Sequence, residues 1–279
     1  MTDSLILQFL YHTPVGRVIL KGLVHPKLSF LAGCFLSSGL SKPIVPYYIR
    51  KHHISLDGIV VPEKGFASFN DFFTRKRKKG VTKPAPGQLI SPSDGYFSCY
   101  DLQENTVLEI KNSRYHLKDL FRDKGLAKQF EGGKALVIRL TPANYHRYCY
   151  PVSGKILMSR KVRGKLHCVR PIALAAVPVF VQNSREYQVI RSDAFGLVAQ
   201  MEVGALLVGR IKNRQKALKN CFVQAGEEKG YFEFGGSTII LFFQKDAISL
   251  EEKLVGSTCD AEIPVRMGEG IANRNTNRQ

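Results

Sequence analysis

The sequence predicts an α+β fold in which a helical, apolar and basic N-terminal segment, residues 1–55, precedes a β-rich core, residues 56–279. Three observations predict it. Apolar residues recur at helical spacing through the first 55 positions. From about Gln88 the chain breaks into short runs rich in Val, Ile, Phe and Tyr, separated by turn-forming glycines. A length of 279 residues with 44% hydrophobic content suits one sizeable core plus an appendage and is short for two large domains.

In the N-terminal segment Arg17, Lys21, Lys27, Lys42, Arg50 and Lys51 face a single acid, Asp3. Amphipathic helices of this kind either pack on their own core or lie on an anionic membrane, and the two roles are compatible on different faces. The segment lacks a basic start, apolar run and small-residue cleavage site, so no signal peptide is expected. The uncharged stretch Leu28–Ser41 is too short to span a bilayer core of ~30 Å. The expected localisation is peripheral, on the cytoplasmic face of a membrane.

Next comes FNDFFTRKRKKG, in which Phe69, Phe72 and Phe73 precede five successive cations, Arg75 to Lys79. Together with a net charge of +18 this run predicts contact with an anionic lipid surface, where each cation gains roughly 1 kcal/mol. No zinc-finger spacing or aromatic RNP-like strand accompanies it, so nucleic acid is not the expected partner.

Strands are predicted within LISPSDGYFSCY, TVLEIKN, ALVIRLT, PVFVQN, REYQVI, LVAQMEV, ALLVGRI, FEFGG and STIILFFQ. Turns fall at Asp94-Gly95, Gly132-Gly133, Ser153-Gly154 and Gly235-Gly236. A helix is expected over Tyr115–Asp123, before a flexible Lys124-Gly125. Six cysteines stand singly, without a C-x-x-C pair, which fits a reducing compartment and predicts no metal site. Neither a G-x-G-x-x-G after a strand nor a P-loop is present, so no nucleotide cofactor is expected.

The segment FGGSTIILFF carries the chemistry. Taken alone it reads as a glycine turn leading into a buried strand. Its chemical reading is that the Ser237 hydroxyl attacks the Gly236 carbonyl, because glycine permits the close approach and unusual backbone angles required. The resulting ester eliminates to dehydroalanine, which hydrolyses to a pyruvoyl group and ammonia. A ketone then opens the second chain. It forms a Schiff base with a substrate amine and accepts the electrons released as carbon dioxide leaves. A second Gly-Ser-Thr, at Gly256, is followed by the polar Cys-Asp-Ala-Glu rather than an apolar strand, so Gly236-Ser237 is the expected cleavage site.

FNDFFTRK (69–76), SPSDGY (91–96), NYHRYCYPVSG (144–154), LHCVRPIA (166–173), QMEVGALLVGRI (200–211) and FGGST (234–238) occur in the order and approximate spacing of the phosphatidylserine decarboxylases. The chain resembles that family from about Phe69 to Gly268. The resemblance implies a carboxy-lyase that converts phosphatidylserine to phosphatidylethanolamine, with a covalent pyruvoyl group made from Ser237. It also implies cleavage into fragments 1–236 and 237–279 that remain together as a heterodimer. Asp94 matches the aspartate of the self-cleavage triad, and His146 matches a histidine that handles the substrate during decarboxylation.

One departure stands out. The family often reads Tyr-His-Arg-x-His, the second histidine being the triad base, whereas Cys149 occupies that place here and Asn144 replaces an aspartate. A thiol of ordinary pKa ~8.5 is a poor substitute base. His167, in LHCVRP, is the expected replacement, preferred over His146, with Asp94 fixing its tautomer. Two other functions are weighed: a pyruvoyl decarboxylase of a soluble amino acid, which the apolar, basic N-terminus argues against, and a degenerate, non-enzymatic membrane-binding protein, which the intact FGGST, SPSDG and YHR argue against.

Overall fold

The computed structural model describes residues 5–80, 82, 84–103, 107–110, 113–169, 171–205, 210–214, 220–234 and 237–275. The fold is α+β. Its centre is an eight-stranded antiparallel sheet in the order Phe222–Val223, Gly154–Val162, Arg185–Ser192, Gly196–Gly204, Ser237–Phe243, Lys134–Leu140, Gly95–Asp101 and Ile263–Val265. Ser237–Phe243 is buried along its whole length. Its register is fixed on both sides, Ser237 facing Gly204 on one neighbour and Leu140 on the other.

Period-two alternation divides this sheet between two cores. Ala199, Met201, Val203, Ile240 and Phe242 face a helical layer, while Val198, Ile239, Leu241 and Phe243 face two three-stranded sheets that contribute Tyr148, Phe232, Leu89 and Ile271. The helical layer takes in α1 (Leu5–His12) and α2 (Pro14–Leu23), which α3 (Pro26–Ser37) and α4 (Ile44–His52) follow. Thr13 caps α2 by accepting from the Gly16 amide, with Pro14 at its first turn. Leu10, Tyr11, Leu20 and Val24 anchor this end of the chain in the first core. A third cluster joins α4 to α5 (Phe69–Phe73) through Tyr48, Phe69, Phe72 and Phe73.

Several expectations are corrected. Phe69, Phe72 and Phe73 are at most 1% exposed, so they are core residues and offer nothing to a lipid surface. The cation run is split by burial, with Lys76, Lys78 and Lys79 exposed but Arg75 only 6% exposed. PVFVQN forms a helical turn, Val179–Gln182, in place of a strand. Pro178 sets its start, the Asn183 amide closes on the Val179 carbonyl at 2.8 Å, and Phe180 packs on Tyr115 at 5.2 Å. The Tyr115–Asp123 helix is shorter, Leu117–Phe121, and ends at Arg122 in the left-handed region. Lys124-Gly125 opens a second short helix, Lys124–Lys128, because Asp123 caps the Leu126 amide at 3.0 Å. ALLVGRI lies largely outside the described residues, and TVLEIKN contains the strand Val107–Ile110.

Candidate active site

Ser237 is fully buried, and its Oγ has no hydrogen-bond partner among the described residues. Gly235 and Gly236, which precede it, lie outside the described residues. An orphaned hydroxyl at the head of a central strand is costly unless chemistry uses it. The serine of the second Gly-Ser-Thr behaves differently: the Ser257 hydroxyl donates to the Leu254 carbonyl at 2.8 Å. Its oxygen is occupied in ordinary turn structure.

Asp94, His146 and His167 gather at the same end of the sheet as Ser237, each held by a different device. Asp94 precedes the strand Gly95–Asp101, which pairs with Lys134–Leu140 and so lies two strands from Ser237. At ~4.8 Å per strand that is about 10 Å. Glycine is required after Asp94, since a Cβ on Gly95 would sit 2.9 Å from the Arg139 carbonyl oxygen. The Asp94 carboxylate accepts from Arg77 Nη2 at 2.5 Å and from the Met267 amide at 2.9 Å.

His146 is fully buried. Its Nδ1 lies 2.9 Å from the Asn144 carbonyl oxygen. A carbonyl only accepts, so Nδ1 carries a proton, and the atom left to exchange one is Nε2. The ring centroid lies 4.0 Å from that of Phe73, the two planes tilted by 34°, and Phe73 meets Phe234, three residues before Ser237. The Phe232 amide also donates to the His146 carbonyl, tying this segment to the strand that leads toward the cleavage site.

His167 approaches from the helical side, where its ring lies 6.2 Å from that of Tyr11. Asn183 organises it. The Asn183 side chain accepts from the His167 amide, donates to the His167 carbonyl and donates to the Gly204 carbonyl, each at 2.8 Å. Gly204 is the strand partner of Ser237. Neither ring nitrogen of His167 has a hydrogen-bond partner among the described residues. Burial and the nearby Lys165 lower its pKa, which favours the neutral ring.

Neither contact expected of His167 from the sequence is formed: its ring nitrogens bond neither the Asp94 carboxylate nor the Ser237 hydroxyl. Arg77 and Met267 occupy the carboxylate, and the central strands separate it from His167. Cys149 is buried with its thiol pKa pushed up to about 12 by desolvation, which leaves it protonated and unable to act as a base at neutral pH. Below the site, the fully buried pair Lys229–Glu202, 2.6 Å apart, lies two residues along the strand from Gly204. Among the described residues no group of three or more His, Cys, Asp or Glu is placed to hold a metal ion.

Sequence reasoning missed Arg77, Asn183 and the Lys229–Glu202 pair. Only Arg77 left a signal, being one of two arginines spaced by two in a run otherwise made of lysine, the alternation of an inward-facing strand face. Asn183 acts through tertiary contacts that spacing does not reveal.

The fold thus places a buried serine hydroxyl, with no hydrogen-bond partner among the described residues, at the head of a central strand. A family model described as phosphatidylserine decarboxylase matches residues 69–273. The chain is 38% identical to phosphatidylserine decarboxylase proenzyme 2 of Clostridium acetobutylicum, over 96% of this chain and 92% of the relative. It is 40% identical to the phosphatidylserine decarboxylase proenzyme of Clostridium perfringens, over 95% and 91%, and 36% identical to that of Fusobacterium nucleatum, over 96% and 90%. The chain belongs to the phosphatidylserine decarboxylase family.

Proposed function

We propose that this protein is a proenzyme that cuts itself between Gly236 and Ser237 and then decarboxylates phosphatidylserine to phosphatidylethanolamine. The observation that carries the reading is the buried, unpartnered Ser237 hydroxyl at the head of a strand framed on both sides. Attack of Oγ on the Gly236 carbonyl carbon forms an ester as the carbon–nitrogen bond breaks. His167 takes the hydroxyl proton: its lowered pKa favours the neutral ring, its nitrogens have no partner among the described residues, and Asn183 moors it to the neighbouring strand. Elimination and hydrolysis then release ammonia.

A pyruvoyl group at position 237 supplies the ketone that takes up the substrate amine and accepts the electrons freed by loss of carbon dioxide. His146, whose Nε2 is the atom left to exchange a proton, returns one to the product carbon. Asp94, held by Arg77 and Met267, keeps negative charge beside the site. The fragments 1–236 and 237–279 stay together as a heterodimer, because the wholly buried Ser237–Phe243 strand pairs on both sides with strands of the longer fragment.

The enzyme lies peripherally on an anionic membrane, on the cytoplasmic face. Of sixteen exposed large hydrophobic residues among those described, twelve fall between Leu5 and Tyr47, and Arg17, Lys21, Lys27, Lys42, Arg50 and Lys51 of the same N-terminal segment are exposed. Such outward-facing apolar and basic helices suit an interfacial position. No helix among the described residues is long and apolar enough to cross a membrane, and none of the six cysteines is in a disulfide. Carbon dioxide release is to be compared between phosphatidylserine vesicles and free amino acids. Release from vesicles alone is expected; release from amino acids alone would replace the lipid substrate with a soluble one.

A further inference from the structure

A cleft of about 330 Å³ opens beside the site, lined by Arg75, Arg77, Arg266, Asp94, Tyr145 and the end of α4 at His52 and His53. Its charges are unbalanced. The Arg77 guanidinium is matched by Asp94 at 2.5 Å, and the Asp57 carboxylate, also on the lining, accepts from the Ser55 hydroxyl at 2.7 Å. Arg75 forms no ion pair among the described residues. It is 6% exposed, its Nη1 makes one long hydrogen bond of 3.4 Å to the Phe72 carbonyl, and its Nε has no partner. Its guanidinium lies 4.9 Å over the Phe72 ring. A guanidinium buried with an idle nitrogen is costly by itself and is stabilised by an anion in the cleft.

Planar, forked donors of arginine match a phosphate, and three line this cleft, Arg75 and Arg77 from one segment and Arg266 from a distant one. From the arrangement of Arg75, Arg77 and Arg266 we infer that this cleft binds a phosphate group, namely the headgroup phosphate of the phospholipid whose serine is presented to residue 237. The assignment rests on the decarboxylase reading. Asp94 and Tyr145, on the lining, adjoin the site in the chain through Gly95 and His146. Asp94 stands about two strands, ~10 Å, from Ser237, a gap that a phosphoserine headgroup and the side arm of residue 237 bridge together. One wall of the cleft is the end of α4, whose Tyr47 is exposed, so acyl chains leaving the phosphate meet the apolar helices.

The test compares native cleaved protein with Arg75→Gln, Arg75→Lys and Arg266→Gln, and with Lys128→Gln as a remote control of equal charge change. Calorimetric titration with glycerophosphoserine, inorganic phosphate and free serine reads the cleft directly. Turnover of phosphatidylserine vesicles reads KM and kcat. Arg75→Gln is expected to weaken glycerophosphoserine binding and raise KM about tenfold to a hundredfold, the range for a hydrogen bond to a charged group, with kcat changed far less. Arg75→Lys should recover part of the loss, Arg266→Gln should show a smaller loss, and Lys128→Gln none. Unchanged binding and KM in both Arg75→Gln and Arg266→Gln would overturn the proposal. So would native protein that binds inorganic phosphate but not glycerophosphoserine, since the cleft would then hold a free anion. Failure of the decarboxylase reading looks different: native protein would release no carbon dioxide from the lipid, yet still bind glycerophosphoserine in an Arg75-dependent manner.

Discussion

Replacing His167 by alanine removes the imidazole moored beside the Ser237 strand while leaving the Asn183 bridge, which uses only the His167 backbone. The loss is therefore confined to the ring. A positioned general base contributes 10² to 10⁴ in rate, roughly 3–5 kcal/mol of barrier. Uncut precursor of His167→Ala should accumulate and mature at least a hundredfold more slowly than native protein, followed by electrophoresis of freshly synthesised chain. Cleavage in His146→Ala should proceed normally, with poor turnover of phosphatidylserine. The pH dependence supplies an independent check. Burial lowers the His167 pKa from the usual ~6.5, so the ring loses its basic form at a lower pH than a free imidazole. The acid midpoint of native self-cleavage should therefore lie below that value. Normal cleavage in His167→Ala together with uncut His146→Ala would refute the reasoning and transfer the base role to His146.

Three further outcomes are expected. Cys149→Ala should be cut at close to the native rate, since a thiol with a pKa of about 12 is protonated throughout the working range; accumulation of its precursor on a gel would make the thiolate the base. Lys229→Met should destabilise the protein by about 3–5 kcal/mol in denaturant titration by stranding Glu202, and the double change with Glu202→Leu should recover most of it. Burial raises the Glu202 pKa to about 7, so the folded state holds a proton that the unfolded chain releases near ~4.3. That contribution falls as pH rises between those values, and the Lys229→Met penalty should be greater at pH 8 than at pH 5.5. Binding to anionic vesicles by sedimentation should weaken as salt shortens the Debye length from ~10 Å at 0.1 M to ~3 Å at 1 M, and weaken further without residues 1–50. Equal binding to neutral and anionic vesicles at low salt would contradict the membrane reading.

The parts of the fold set by local pattern were legible. Helical periodicity marked the N-terminal helices, and the unbroken run Ile239–Phe243 after two glycines marked a strand buried on both faces. PVFVQN misled because a short β-branched run has no period that separates a strand from one buried helical turn. The strand Gly154–Val162 went unread because it is polar and half exposed along much of its length. At the site, Ser237 was picked out by its two glycines and the apolar strand after it, whereas Asp94, His146 and His167 came from the resemblance to the decarboxylase family. What neither could show was partnership: Asp94 goes to Arg77 from the cation run, and His167 is held by an asparagine from the misread helical turn. Both contacts join segments remote in sequence, and local patterning carries no trace of them.

The most direct test of the account is the intact mass of the purified protein under denaturing conditions. Two chains are expected, residues 1–236 and 237–279, the second lighter by one ammonia than a fragment beginning with serine. Ser237→Ala should give a single uncut chain. A native protein that remains one chain, or one cut after Gly256, would contradict the claim that Ser237 is the reactive group.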